Sequence, residues 1–168
     1  VELVNAIGHR HHPAAHATVG MLTVEPASRN VIPGSAWLTV DLRSPSNDVL
    51  ASMDRELKDG CRQIAVRSAV EVAVKDFWEI PVQPFDADLV AAVRQGAIER
   101  GYSHRDIASG AGHDAVYMAR VAPTAMIFVP CEKGISHNEL ENAKPEDLTA
   151  GCNVLLATVL GAAGAVTA

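Results

Sequence analysis

The chain has 168 residues, 48% of them hydrophobic and 20% charged, and a formal net charge of −6 at pH 7. This composition is typical of a soluble globular protein with a real core, and it excludes a disordered chain. The acidic balance, the absence of a basic patch and the 4% of aromatic residues argue against a nucleic-acid partner. The longest apolar run, residues 153–166, is too short for a bilayer, so we interpret it as a buried helix and expect no membrane partner.

The first half of the chain shows the periodicity of two helices and three strands in the order α-β-β-α-β. The pattern predicts a helix over residues 1–8, strands over 17–25 and 35–43, a helix from Ser46, and a strand over 69–77. This order is that of the split βαββαβ module without its first strand. The opening helix has neither an N-cap nor an initiator methionine, so we expect the chain to begin inside a domain whose opening lies upstream.

The strand "SAWLTVDLR" places Arg43 on a definite face. Side chains alternate along a strand with a period of two, so Arg43 shares the more polar face with Thr39 and Asp41. The opposite face carries the apolar residues, which favours packing of that face on a core. Arg43 is therefore expected to project from the polar face of the strand.

The character of the chain changes after the linker "EIPVQP". Asp86 can cap a helix that ends at Gly101, residues 122–130 form the nearly all-apolar run of a strand buried on both faces, and Pro145 suits the first turn of a final helix. Helix, buried strand and helix are typical of an α/β layer. We therefore predict an α/β protein with two domains, one over residues 1–79 and one over residues 80–168.

Two histidines, His113 and His137, lie in glycine-containing turns on either side of the run 122–130. The glycines of these turns permit a positive φ and a close approach of the backbone to a ligand, and they are Gly110, Gly112 and Gly134. From composition alone, a hydrogen-bonded structural histidine is the commoner interpretation. Loops at strand ends in α/β sheets favour a ligand site instead. A single histidine is not a metal site, because three or four ligands are needed.

The cluster "HRHH", with His9, His11 and His12, also suggests a metal. It lies at a helix end and in a linker, where a solvated polar tip is the ordinary explanation, so we set the metal aside. The three cysteines, Cys61, Cys131 and Cys152, are widely spaced and lack a CxxC pair. This pattern favours reduced thiols and predicts a cytoplasmic protein.

Five segments carry a family resemblance. "SRNVIPG", "VDLR", "SGAGHDA", "PTAMIFVPCEKGISHNE" and "KPEDL", in this order and at this spacing, resemble the C-terminal half of the hydantoinase/carbamoylase amidohydrolases of the di-metal M20 peptidase group. The resemblance implies a partial ferredoxin-like lid or dimerisation domain over residues 1–79, inserted into a larger α/β catalytic domain whose C-terminal part is 80–168. It also implies a homodimer. In such a protein, the missing N-terminal half supplies most metal ligands and the catalytic glutamate.

The resemblance also assigns roles to individual residues. It makes His137 a ligand of one of two divalent metal ions, which could be zinc, manganese, cobalt or nickel. His113 becomes a catalytic group that contacts the substrate beside the backbone of Gly112. Asn30 and Arg43 resemble the pair that holds the substrate carboxylate, and a planar guanidinium can grip a carboxylate with two hydrogen bonds.

The implied activity is metal-dependent cleavage of the carbamoyl C–N bond of N-carbamoyl-L-amino acids, N-carbamoyl-β-alanine or allantoate. The alternatives are an M20 aminoacylase or peptidase, or a binding or dimerisation module without catalysis. For Arg43, the alternative is an exposed ion pair with Asp41 or Asp54. We expect these 168 residues to have no hydrolase activity by themselves, because one ligand does not hold a metal pair.

Overall fold

A computed structural model describes residues 1–163 of the chain, and these fall into two compact units, Val1–Val82 and a second unit that begins at Gln83. The first unit contains four regular elements, which are α1 (Glu2–His11), β1 (His16–Glu25), β2 (Ser35–Arg43) and α2 (Asn47–Ser68). Each of these elements was predicted from the sequence. The assignment of the two units as a lid domain and part of a catalytic domain stays a prediction.

The core of the first unit lies between its two helices and one face of its sheet. Ile7 of α1 and Met53 of α2 are completely buried there, and the apolar stripe of α2 provides the packing surface. The Oγ of Ser46 accepts a hydrogen bond from the backbone N of Val49 and so caps α2. A Cβ at Gly60 would lie 2.6 Å from Cδ2 of Leu3, so α1 and α2 are close at this glycine, and Leu3 would have to move to admit a side chain there.

The two strands pair antiparallel, and the register decides which side chains meet the core. Val19 pairs with Val40, and the register shifts between Val19 and Met21, as in a β-bulge. Val40 and Leu42 pack against the core, so the alternation of the strand places Arg43 on the opposite face. The sequence therefore correctly predicted which side chains of β2 lie on the core face and which lie on the opposite face.

The predicted third strand, over residues 69–77, is wrong. Within residues 1–163 the sheet has two strands, and none of them pairs with this segment. A strand needs a neighbour to satisfy its backbone groups, and alternating apolar residues do not supply one. The segment is instead tied to α2 by an ion pair of 2.8 Å between Lys58 and Asp76, while Phe77 and Trp78 remain largely exposed.

In the described part of the second unit, all regular elements are helical. Its elements are α3 (Ala87–Glu99), α4 (Asp114–Met118), a 3₁₀ turn (Glu132–Gly134) and α5 (Pro145–Ala163). As predicted, Asp86 caps α3 by accepting a hydrogen bond of 2.9 Å from the backbone N of Leu89, and Pro145 occupies the first turn of α5. Buried Ala97 of α3 and Val154 of α5 lie at the core of this unit.

The predicted buried strand over residues 122–130 is also wrong. It carries no strand in the described structure, because no described segment forms a ladder with it. Packing and single hydrogen bonds hold it instead. The backbone O of Thr124 accepts from the N of Asp86 at 2.9 Å, and a Cβ at Gly151 would lie 2.7 Å from the side chain of Val129. The run therefore packs on α5 without belonging to a sheet.

The C-terminal apolar run forms a helix, as predicted, but the helix is not buried as predicted. Leu155 and Leu156 are more than half exposed, because α3 covers α5 on one side, around Val154. Residues 164–166 of the run lie outside the described part of the chain. Within residues 1–163, no helix is both long enough and apolar enough to span a membrane.

Candidate functional site

Arg43 ends β2 and forms a two-point ion pair with Asp41 on the same face. Its Nε donates to Oδ1 of Asp41 at 2.7 Å and its Nη2 donates to Oδ2 at 3.1 Å. This hydrogen bonding, and then the charge of Asp41, raises the pKa of Arg43 above its ordinary value. The side chain of Arg43 is about half exposed, at 51%. Of the two alternative partners expected from the sequence, Asp41 is the one observed, whereas Asp54 pairs with Lys58.

Asn30 lies in the exposed turn between the two strands. Its Oδ1 accepts a hydrogen bond of 2.9 Å from Oγ of Ser28. An asparagine amide has one oxygen acceptor and one NH₂ group that donates twice. With Oδ1 oriented by Ser28, the Nδ2 group can donate to an acidic ligand. The shared role of Asn30 and Arg43 in holding a carboxylate stays a prediction.

His113 occupies the N-cap position of α4, and its ring is held by two neighbours. Its Nε2 lies 2.7 Å from Oγ of Ser109, and the ring meets Phe128 edge-on at 5.6 Å between centroids and 63° between planes. The Oγ of Ser109 also accepts from the backbone N of Ala111 at 3.2 Å. Sequence reasoning missed Ser109 and Phe128, although the spacing of Ser109 four residues before His113 was visible.

The glycines around these histidines differ in what their positions require. Gly134 has a φ of 71°, a positive value of the kind that glycine was expected to permit in this turn. Gly112 has no positive φ, and a Cβ at Gly112 would meet nothing within 4 Å. The local backbone therefore gives no conformational reason for glycine at position 112. The contact of its backbone with a substrate stays a prediction.

His137 is held through its backbone and not through its ring. Its φ is 57°, in the left-handed region that residues other than glycine rarely adopt, and its side chain is exposed. The backbone N of His137 donates to Oε2 of Glu141 at 2.7 Å. Sequence reasoning missed Glu141, and only its spacing of four residues could have indicated it. Strain of this kind persists where the surroundings impose it, and it is concentrated at functional sites.

The turn that carries His137 is closed by further hydrogen bonds. The Nδ2 of Asn142 donates to Oε2 of Glu132 at 3.0 Å, and the backbone N of Glu132 donates to the O of Asn142 at 2.6 Å. Inside the turn, Oδ1 of Asn138 accepts from the N of Leu140 at 2.9 Å. These bonds join both ends of the turn. The imidazole of His137 is therefore presented to solvent from an ordered frame.

The described residues do not make a complete metal centre. Nowhere in residues 1–163 do three His, Cys, Asp or Glu side chains converge in a group able to hold an ion. No hydrogen bond of that region joins His113 to His137. A divalent metal needs three or four ligands, so the exposed imidazole of His137 fits the part of one ligand among several.

The "HRHH" cluster forms an ion pair between helices. The Nε2 of His11 lies 2.7 Å from Oε1 of Glu56 in α2, and Arg10 donates to Oε2 from Nε at 2.9 Å and from Nη2 at 2.6 Å. The hydrogen bond with His11, followed by that with Arg10, lowers the pKa of Glu56. This arrangement gives the cluster a structural role in joining α1 to α2.

Comparison with known proteins places this geometry in a family. The sequence profile of peptidase family M20/M25/M40 matches residues 2–161. The chain is 40% identical over 160 residues to an N-carbamoyl-L-amino-acid amidohydrolase of Rhizobium meliloti, covering 95% of this chain and 38% of that protein. It is 33% identical over 138 residues to an allantoate amidohydrolase of Bacillus subtilis (strain 168), covering 82% of this chain and 34% of that protein.

The fold agrees with the sequence similarity. A crystal structure of an amidase of the hydantoinase/carbamoylase family from Burkholderia multivorans matches with a TM-score of 0.90 and 56% identity, covering 96% of this chain and 39% of that one. The chain thus spans about two fifths of the length of these relatives. The profile match nevertheless covers almost every described residue, and the chain belongs to the M20/M25/M40 peptidase family, as its hydantoinase/carbamoylase resemblance predicts.

Proposed function

We propose that the protein to which this chain contributes hydrolyses the carbamoyl C–N bond of N-carbamoyl-L-amino acids or related ureido acids. Water adds to the ureido carbon, the bond to the amino-acid nitrogen breaks, and that nitrogen takes a proton. The products are the amino acid and carbamate, which decomposes to ammonia and carbon dioxide. The similarity to relatives named for N-carbamoyl-L-amino acids and for allantoate, both ureido compounds, carries this proposal.

His113 is proposed to contact the ureido group. Its ring is oriented by Ser109 and by the edge contact with Phe128, which suits a group that must meet a substrate atom at a fixed place. A fixed imidazole N–H can donate to the ureido oxygen and stabilise the charge that develops there in the transition state. The orientation of the ring supports a catalytic role for His113 over one in structure alone.

Arg43 and Asn30 are proposed to bind the carboxylate of the substrate. The pairing with Asp41 demonstrates that the Arg43 guanidinium can present two nitrogens to one carboxylate. A substrate carboxylate would displace Asp41 and take its place on the two nitrogens. The Nδ2 of Asn30 would add a neutral donor.

His137 is proposed as a ligand for one of two divalent ions, zinc, manganese, cobalt or nickel, with the other ligands supplied outside this chain. Such ions, when bound, activate a water and polarise the ureido oxygen. The contribution of this chain is to hold an exposed imidazole at a left-handed backbone position that Glu141 fixes. An imidazole suits each of these metals as a ligand.

We also propose that the first unit mediates homodimer formation in a cytoplasmic protein. On the face opposite the core, its sheet exposes Met21 and Trp37, whose burial against a second copy would be favourable. The described cysteines, Cys61, Cys131 and Cys152, are all free thiols, which suits a reducing compartment.

A substrate panel tests the proposed activity. The whole protein, loaded in turn with each of the four metals, is given N-carbamoyl-L-amino acids, N-carbamoyl-β-alanine, allantoate, N-acetyl amino acids and dipeptides, and release of ammonia or amino acid is measured. We expect turnover of at least one ureido acid and none of the acetyl compounds or peptides. Turnover confined to acetyl amino acids or dipeptides would identify an aminoacylase or a peptidase, and no turnover would favour a binding module.

A further inference from the structure

The Ser109 hydroxyl joins two groups of the loop that carries His113. Its Oγ lies 2.7 Å from Nε2 of His113 and accepts a hydrogen bond of 3.2 Å from the backbone N of Ala111. A serine hydroxyl has one proton to donate and two lone pairs that accept. The N–H of Ala111 occupies one lone pair and leaves the proton and the second lone pair to face the imidazole. Ser109 is therefore anchored to the backbone and in contact with the ring at once.

We propose that Ser109 is a positioning residue that sets the tautomer of His113. Its O–H donates to Nε2, which keeps the single proton of the neutral ring on Nδ1. Which ring nitrogen carries the proton depends on the hydrogen bond that the other nitrogen makes. In the described part of the chain no hydrogen bond uses Nδ1, so the Nδ1–H can donate to the ureido oxygen. This inference rests on the proposed function, in which His113 contacts the ureido group.

Phe128 limits the rotation of the same ring. An edge-on contact at 5.6 Å and 63° is a favourable aromatic geometry. A ring flip about the Cβ–Cγ bond would break the bond from Ser109 to Nε2 and move Nδ1 from its place. The hydroxyl and the phenyl ring together select one orientation and one tautomer. A hydrogen bond that only stabilised the loop would require neither the bond from Ala111 to the Ser109 hydroxyl nor the contact between His113 and Phe128.

Kinetics of the metal-loaded whole protein give the first test. We expect Ser109→Ala to lower kcat about tenfold, the loss that one hydrogen bond can cause, while KM changes by less than about twofold and metal content stays constant. Ser109→Thr keeps the hydroxyl and should stay within about threefold of the wild type. Ser103→Ala is the matched control, since Ser103 is exposed in the same unit. A threonine variant as impaired as the alanine variant would overturn the proposal.

The ring itself gives a second test that does not depend on turnover. In protein labelled with ¹⁵N at the histidine rings, the resonances of His113 are assigned by their loss in His113→Gln. We expect the wild-type proton on Nδ1 and a shift toward Nε2 in Ser109→Ala. A wild-type ring protonated on Nε2, or a variant with unchanged ring resonances and rate, would refute the role of Ser109. If no ureido acid is hydrolysed, the proposed function fails, and the ring spectrum still decides the role of Ser109.

Discussion

The turns around His113 and His137 hold their histidines in opposite ways. At His113 the ring is engaged, by the Ser109 hydroxyl and by the edge of Phe128, while the backbone is in an ordinary extended conformation. At His137 the backbone is strained and bonded to Glu141, while the ring is exposed. A fixed ring suits contact with a substrate. An exposed ring on a fixed backbone suits a ligand whose ion is completed by other parts of the protein. The difference therefore supports the two different roles proposed for these histidines, which the sequence pattern alone leaves similar.

The largest expected effect concerns His113. If its oriented ring donates to the ureido oxygen in the transition state, His113→Ala should lower kcat about 100-fold. Steady-state kinetics of the whole protein measure this loss. The control is His104→Ala, because His104 is an exposed histidine of the same unit whose ring bonds only locally, to the O of Tyr102 at 3.1 Å. Equal rates for these two variants would remove His113 from catalysis.

Arg43 differs from both histidines, because its side chain already forms an ion pair with Asp41. If the fork binds the substrate carboxylate, Arg43→Lys should cost about 2 kcal/mol in kcat/KM, because lysine keeps the charge and loses the two-point geometry. Kinetics with the substrate found in the panel measure this. Arg67→Lys, at the exposed end of α2, is the control. A kinetically normal Arg43→Lys variant would mean that Arg43 has a structural role and does not bind the substrate.

The hydrogen bond from the backbone N–H of His137 to Glu141 should affect the metal affinity and not the rate of the catalytic step. Glu141→Ala removes the acceptor of the His137 N–H, so the ligand turn should loosen and the metal affinity should fall about tenfold. Titration of the metal-free whole protein measures the affinity. Glu139→Ala is the matched control, because Glu139 lies in the same turn with an exposed side chain. Equal affinities in the two variants would show that Glu141 does not support the turn.

The smallest expected effect concerns the contact between His11 of α1 and Glu56 of α2, which has a structural role. Glu56→Gln should weaken the docking of α1 by about 1 kcal/mol at pH 7, as for other solvent-accessible ion pairs, and leave kcat unchanged. The pKa of Glu56 is lowered in the folded protein, so its stabilisation is present at neutral pH and is lost as the pH falls through the folded value.

Amide hydrogen exchange of α1 reads out this local stability. The variant should exchange faster than the wild type at pH 7, and the two should converge at acidic pH. Glu71→Gln, at an exposed position of the same unit, is the control. A difference between Glu56→Gln and the wild type that grew toward acidic pH would contradict the assigned ion pair.

The sequence predicts those parts of this molecule that depend on local patterns. The helices follow from capping residues and apolar stripes, as at Ser46 and Asp86, and the facing of Arg43 follows from strand alternation. The strands predicted over 69–77 and 122–130 fail, because a strand depends on a partner that its own sequence does not specify.

Within the candidate site, the family motifs identify the two histidines but not what orients them. The contact between His113 and Phe128 joins residues far apart in sequence, so it depends on the folded chain. The left-handed backbone of His137 is equally hidden, since a histidine gives no sign of a positive φ as a glycine does. The bonds from Ser109 and Glu141 span only four residues, yet both side chains are common at solvated positions.

Metal content of two variants tests the division of roles most directly. His113→Ala and His137→Ala of the whole protein are purified, dialysed against metal at the same free concentration, and analysed for metal per protomer beside the wild type. We predict that His137→Ala loses one equivalent, because an ion deprived of one of a few ligands is weakly held, and that His113→Ala retains the full content. A full metal content in His137→Ala, or a loss in His113→Ala, would contradict the assignment of a ligand to one turn and a substrate contact to the other.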